Sequence, residues 1–226
     1  MKILRYLFLY IPLCFILISL GMVLLYKWVP VPVTPLMVVR MVENRGDTSF
    51  HTRKEWKPLS EISKNMTLAV MAGEDNRFLE HNGFDWEEIN NAIEDSRKGK
   101  RLRGASTISQ QTAKNVFLLP GRSWVRKGLE VYFTSLIELI WGKERIMEVY
   151  LNVAEMGRGI YGASAAAEHF FKIEASKLNV KQSALIAATL PNPLRRRADK
   201  PSGYVMKRAG QIERLMFMIE RPQWAI

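Results

Sequence analysis

The strongest constraint on this chain is the run from Tyr6 to Tyr26, which holds no group charged at neutral pH. As a helix, about 21 residues extend roughly 30 Å, the thickness of a bilayer's hydrocarbon core. Lys2 and Arg5 precede the run, and Lys27 and Trp28 follow it. A basic start favours a cytoplasmic N-terminus and sends the remainder to the far side, with Lys27 leaving the flanks only slightly asymmetric. A cleaved signal peptide would carry a shorter apolar region of about 7–15 residues and an A-x-A-like cleavage site. Here Trp28, Pro30, Pro32 and Pro35 follow instead. The reading is a cytoplasmic tip and uncleaved transmembrane anchor over residues 1–28. Cys14, the single cysteine, lies inside this run, which excludes an intramolecular disulfide and a cysteine metal site.

The three prolines predict a stiff, extended stalk over residues 29–55, with an irregular or strand-like stretch from Val38 to His51. A folded domain is expected over residues 56–226, and a hydrophobic fraction of 48% supports its core. Helical signals dominate it. Ser60 is the expected N-cap of a helix running to Glu74. Asp85 with Glu88, and Thr107 with Gln110, read as capping boxes. Lys98-Gly99 ends the first of these helices. Leu129, Phe133, Ile137 and Ile140 have core spacing in a long helix from Arg126. Further helices are expected over Glu144–Val153, Ala163–Phe171, Val180–Leu190 (capped by Asn179) and Tyr204–Ile219. The fold class is all-α, or nearly so.

A net charge of +11 points to an anionic partner, and nucleic acid, anionic lipid and phosphorylated substrates all satisfy it. Three segments narrow that choice. Gly73–Trp86 gathers Glu74, Asp75, Glu80, His81 and Asp85 where a helix ends. A carboxylate at a helix C-terminus opposes the dipole, which raises its pKa and suits a general base. The plain alternative is solvated acids and a satisfied histidine. Arg103–Asn115 sets Gln110, Gln111 and Lys114 on one helical face, with Ser106 and Thr107 at its N-terminus. Amides, hydroxyls and a cation together describe a wall for sugar and phosphate; the alternative is a solvent face with a capping threonine. Gly121–Glu130 places Glu130 within helical reach of Arg126 and Lys127, a common pairing that alone is weak.

The order of these segments is itself informative. E-D-x-x-F-x-x-H-x-G begins at Glu74, G-x-S-T-I-x-Q-Q-x-x-K-N at Gly104, R-K-x-x-E at Arg126, and K-x-x-I-x-E-x-Y-L-N at Lys143. This series resembles glycosyltransferase family 51, the peptidoglycan transglycosylases, and its monofunctional biosynthetic form in particular. One departure is Ala105, where the family usually carries glycine. No serine is followed by lysine three residues on, so an acyl-serine transpeptidase activity is not expected.

The resemblance implies a lysozyme-like α fold and a peptidoglycan glycosyltransferase that polymerises lipid II, inverts the anomeric carbon and releases undecaprenyl pyrophosphate. It implies Glu74 as catalytic base and Glu130 as a second catalytic carboxylate that positions the donor. Asp75, Ser106, Thr107, Gln110, Gln111, Lys114, Arg122, Arg126 and Lys127 would bind substrate. No cofactor is required and no protein metal site is expected, with a divalent cation (Mg or Mn) admissible at the donor pyrophosphate. The partners implied are lipid II, growing lipid-linked glycan, membrane lipids and other cell-wall synthesis or division proteins, and not nucleic acid. The location implied is the cell inner membrane, single-pass, with the catalytic domain extracytoplasmic. Phe117, Leu118, Leu119, Trp124 and Val125 are expected to form an apolar loop that dips into the membrane, and Arg195, Arg196 and Arg197 to face anionic headgroups or solvent. A lytic transglycosylase or lysozyme would share the fold class and the glutamate, but has no need of the cation set. A non-catalytic wall-binding protein has no reason to carry both glutamate motifs.

Overall fold

A computed structural model describes residues 2–99 and 106–225; Ala105 and the side chains of Lys2 and Arg5 lie outside the described residues. Helix α1 (Lys2–Trp28) is the apolar run, and Leu9–Trp28 is long and apolar enough to cross a membrane. It is followed by α2 (Pro35–Glu43) and β1 (Arg53–Lys54), then α3 (Lys64–Glu74), α4 (Trp86–Arg97), α5 (Ile108–Phe117), α6 (Trp124–Ile140) and α7 (Lys143–Val153). Strands β2 (Glu155–Gly157) and β3 (Ile160–Tyr161) precede α8 (Gly162–Phe171), α9 (Val180–Thr189) and α10 (Gly203–Met216). The expected all-α class holds, with one small sheet of order β1-β3-β2 added to it. β1 runs parallel to β3, and β2 antiparallel to it.

Helix α3 is the centre of the domain. Every residue from Met66 to Ala72 is buried, as expected of a helix enclosed on all sides. α9 and α10 pack against it, and α5 packs on α6 and α7. Gly73 lets α10 approach closely, since a Cβ there would lie 3.2 Å from the Ile212 Cδ1 atom. Its rigid surroundings matter because α3 delivers Glu74 as its last residue.

Two expectations fail for definite reasons. The N-cap of α3 is Ser63, which accepts from the Asn65 N–H and donates to the Leu178 carbonyl at 2.7 Å. Ser60 instead lies in a 3-10 turn, Leu59–Glu61. Residues 35–43 are helical because Pro35 occupies the first turn, where its missing N–H is harmless, and Thr34 caps the Met37 N–H. Nor does the segment stand free of the domain: Val31 and Met37 are buried, Lys54 donates to the Val31 carbonyl at 2.7 Å, and β1 joins the sheet.

The fourth motif secures this entry segment. Asn152, 1% exposed, accepts from the Lys57 N–H and donates to the Lys57 and Glu148 carbonyls, each at 2.8 Å. Glu148 accepts from the Leu59 N–H at 3.1 Å. Removing the Asn152 amide strands buried backbone groups, each costing about 1–3 kcal/mol. Asn152→Ala should therefore lower the thermal midpoint of the detergent-solubilised chain clearly, while Lys181→Ala on the exposed start of α9 should leave it unchanged.

Candidate active site

Glu74 and Asp75 are adjacent in sequence and point into different environments. Asp75 caps α3, and its side chain is 3% exposed. One carboxylate oxygen accepts from the Ile108 N–H at 2.9 Å; the other lies 2.9 Å from His81 Nε2. Because His81 Nδ1 accepts from the Gly83 N–H at 3.2 Å, the neutral ring donates through Nε2 to Asp75. The Ile108 N–H is one of the unpaired donors that open α5, where a carboxylate is also favoured by the helix dipole. Thr107 adds a bond from its hydroxyl to the Gly83 carbonyl at 2.7 Å, and Gln110 completes the capping box expected from the sequence. Gly83 itself, at φ +90°, lies where a Cβ would meet Thr134 and Glu138 of α6 within 3 Å.

Asp75, Thr107 and Gln110 are all buried, and the Asp75 carboxylate, the Thr107 hydroxyl and the Gln110 side-chain oxygen bond within this frame. These bonds give the three residues, expected to bind substrate, a part in the frame. Asp75, His81 and Asp85 also lie within 4.8 Å of one another. Each is already engaged, Asp85 by the Glu88 N–H at 2.9 Å. The histidine is thus satisfied within the frame, the plainer of the two readings the sequence allowed.

Glu74 keeps some solvent-facing surface, but protein atoms enclose its carboxylate on most sides. Gln111 Nε2 donates to it at 2.9 Å, and the buried Tyr150 hydroxyl donates to Gln111 Oε1 at 3.3 Å. Burial is the main cause that pushes the Glu74 pKa up; the Gln111 bond and the charges of Arg208 and Lys114 pull it down, and the Asp75 charge pushes it up again. The direction matches the sequence expectation, but desolvation outweighs the helix-end effect invoked there. Arg208 of α10, held by a bond to the Gly73 carbonyl at 2.9 Å, belongs to this site and no motif marked it. Tyr150 had a signal, its place in the fourth motif.

The cations gather one helical step away. Lys114 lies one turn after Gln111 on α5, facing the first turns of α6. There Glu130, 3% exposed, accepts from Arg126 at 2.8 Å and from Lys127 at 2.5 Å. Lys114 is half-buried and has no hydrogen-bond or ion-pair partner among the described residues. Burial lowers its pKa, Glu130 and Glu74 oppose that, and Arg126 and Lys127 add to it. A desolvated ammonium between two carboxylates and beside two further cations is a place for an anion to complete. Ser106 is exposed at the mouth, and its carbonyl accepts weakly from Gln111 at 3.4 Å. Arg122 sits in the exposed loop before α6 and makes no polar contact among the described residues.

That loop divides differently from its sequence reading. Phe117 stacks on Phe133 with ring centroids 4.5 Å apart, and Leu118 is buried, so both are core. Leu119, Trp124 and Val125 are strongly exposed. Of the arginine triplet, Arg197 pairs with Asp199 at 2.6 Å and Arg196 lies over the Tyr204 ring at 4.5 Å. Two of the three are therefore held by local partners.

Comparison with known proteins shows the family of the chain. The family described as Transglycosylase matches residues 42–217. The chain is 58% identical over 200 residues to a biosynthetic peptidoglycan transglycosylase of Bacteroides thetaiotaomicron, covering 88% of this chain and 81% of the relative. It is 57% identical over 201 residues to one of Bdellovibrio bacteriovorus, covering 88% and 80%. With one of Caulobacter vibrioides it shares 52% over 199 residues, covering 88% and 85%. Matched along most of its length, the chain belongs to the transglycosylase family.

Proposed function

We propose that this protein is a membrane-anchored peptidoglycan glycosyltransferase that polymerises lipid II, with Glu74 as its general base. The observation that carries the reading is Gln111 of α5, which donates to the Glu74 carboxylate at 2.9 Å, one turn before Lys114, whose amine has no hydrogen-bond or ion-pair partner among the described residues. A sugar hydroxyl is a weak nucleophile until its proton is being removed, and a carboxylate of raised pKa suits that task. Glu74 takes the proton of the acceptor's 4-hydroxyl as that oxygen attacks the donor's anomeric carbon. The bond from that carbon to the pyrophosphate breaks, its electron pair leaves with the pyrophosphate, and the carbon inverts.

Pyrophosphate leaves without a proton if cations meet the developing charge. Lys114, Arg126 and Lys127 supply them, with Arg122 able to join from its exposed loop. Glu130 acts by holding Arg126 and Lys127 in place. A lytic enzyme needs a general acid for its sugar leaving group, and the described cleft carries three cations at that side instead. Glu130 is the carboxylate nearest these cations, and both its oxygens already accept from them. A divalent cation, Mg or Mn, would thus be carried by the pyrophosphate and not coordinated by a protein ligand set.

Ser106 and Gln111 remain as sugar contacts at the mouth. The anchor α1 and the exposed Leu119, Trp124 and Val125 keep the cleft where a lipid-linked substrate resides. The corresponding location is the inner membrane, with the domain on its extracytoplasmic side. Partners beyond lipid II, its polymer and membrane lipids would be other cell-wall synthesis or division proteins.

Incubation of the full chain with labelled lipid II in detergent should yield polymer; cleavage of preformed glycan with no polymer would overturn the reading. Glu74→Gln should slow polymerisation about 10²–10⁴-fold, the usual contribution of a general base. A carboxyl whose folded pKa is raised loses stability as pH climbs through that value. The glutamine variant should therefore melt at or above the wild-type midpoint at pH 7, which separates lost chemistry from lost fold. Lys114→Met should reduce kcat/KM about 10–100-fold, the loss of one charge-assisted contact, in a steady-state assay with lipid II.

A further inference from the structure

A second cleft gathers positive charge from three parts of the chain. Ser49, His51 and Arg53 line it from the segment between α2 and the sheet, Arg158 and Ile160 from the β2–β3 hairpin, and His169 from α8. None of these residues belongs to the cleft around Glu74 and Lys114. Its volume of about 90 Å³ is several times what one ordered water needs.

The backbone around this cleft is held in place. Arg53 pairs in register with Ile160, and its N–H donates to the Gly159 carbonyl at 2.7 Å. Gly159 takes φ +71°, and a Cβ there would lie 2.5 Å from the His51 carbonyl oxygen. Only glycine lets the segment and the hairpin approach this closely. The lining side chains therefore project from paired backbone.

Their charges are compensated unevenly. Arg158 donates to Asp47 at 2.5 Å and to Asn44 at 2.8 Å, and lies over the Phe50 ring at 5.5 Å. Ser49 bonds the Asp47 carboxylate through its N–H and its hydroxyl, at 2.8 and 2.6 Å. Arg158 first, and then Ser49, hold the Asp47 carboxyl well below the usual carboxylate range, so it remains an anion that answers Arg158. Arg53 has no such answer. Its one side-chain hydrogen bond among the described residues is to His169 Nδ1, at 3.4 Å. A guanidinium only donates, so Nδ1 accepts and the neutral ring carries its proton on Nε2. Burial chiefly lowers the His169 pKa; Arg53, Lys172 and Arg197 add to this, and Asp199 opposes it. His51 donates through Nδ1 to the Ser49 carbonyl at 3.2 Å, which leaves its Nε2 without a partner among the described residues.

We propose that this cleft binds a phosphate group. An uncompensated guanidinium beside imidazoles from separate segments suits an anion that accepts from several directions, as a tetrahedral phosphate does. Such a group has two sources, solution and lipid headgroups. The second is within reach because Lys54, next to Arg53, donates to the Val31 and Pro32 carbonyls at 2.7 and 3.3 Å, and α1 ends at Trp28. The proposal is independent of the reaction assigned to Glu74.

The chain has three histidines, so isotope-labelled histidine gives three imidazole signals to follow by NMR. The full chain in a maltoside detergent and phosphate-free buffer would be titrated with inorganic phosphate at fixed pH and ionic strength. The His51 and His169 rings should shift saturably, while His81, held in the frame beside Asp75, should not move. Arg53→Gln should raise the apparent Kd about 10–100-fold, the loss of one charge-assisted contact, at an unchanged melting midpoint. Lys181→Gln, an equal loss of charge elsewhere on the surface, should leave the Kd as it is. Nanodiscs of phosphatidylglycerol without free phosphate identify the source: the same two shifts, relative to detergent, assign the site to headgroups, and their absence assigns it to soluble phosphate. Shifts that fail to saturate, that include His81, that acetate reproduces at equal concentration, or that survive Arg53→Gln unchanged would overturn the proposal.

Discussion

The Asp75 carboxylate is the contact on which the catalytic arrangement depends. It receives the first N–H of α5 and the His81 ring together, and so joins the end of α3 to the start of a helix 33 residues later. That junction sets Gln111 against Glu74, and the direction of α5 then carries Lys114 toward the cations of α6. A bond between a buried carboxylate and a helix N-terminus is directional and dipole-assisted. The residue beside the proposed base thus fixes the surroundings of the Glu74 carboxylate.

Electrostatically the cleft is a set of incomplete compensations. Glu74 is desolvated with one amide donor, while Lys114 is desolvated with no direct partner among the described residues. Each disfavours its own charged form and each supports the other's. An arriving pyrophosphate would relieve Lys114, and a hydroxyl donor would relieve Glu74. In the proposed mechanism substrate would supply the partners that the folded chain withholds, the general condition for binding energy to be directed at reacting groups.

Local rules in the sequence reached far. Thr107 with Gln110 and Asn179 with Gln182 close as capping boxes, since such caps involve only residues three apart. The apolar run of α1 and the core spacing of α6 were equally legible. Ser60 and Ser63 differ only in which one the tertiary contact with Leu178 selects, and Pro35 reads as a breaker unless its first-turn position is known. Which of two consecutive acids faces the cleft depends on a bond to Ile108. Arg208 reaches the site from α10 by a contact across 135 residues, so no local spacing could announce it. Phe117, stacked on Phe133, and the buried Leu118 resemble their exposed neighbours in composition and differ in packing.

The central claim is that half-buried Glu74, held by Gln111, is the base. The most direct measurement is the acid limb of the pH–rate profile for lipid II polymerisation, in wild type and in Gln111→Met. Burial should place the wild-type limb above the ordinary glutamate value of about 4.3. Removing an amide that bonds the ionised form should move it higher still. A limb at the ordinary value, or one that stays in place without Gln111, would contradict the account.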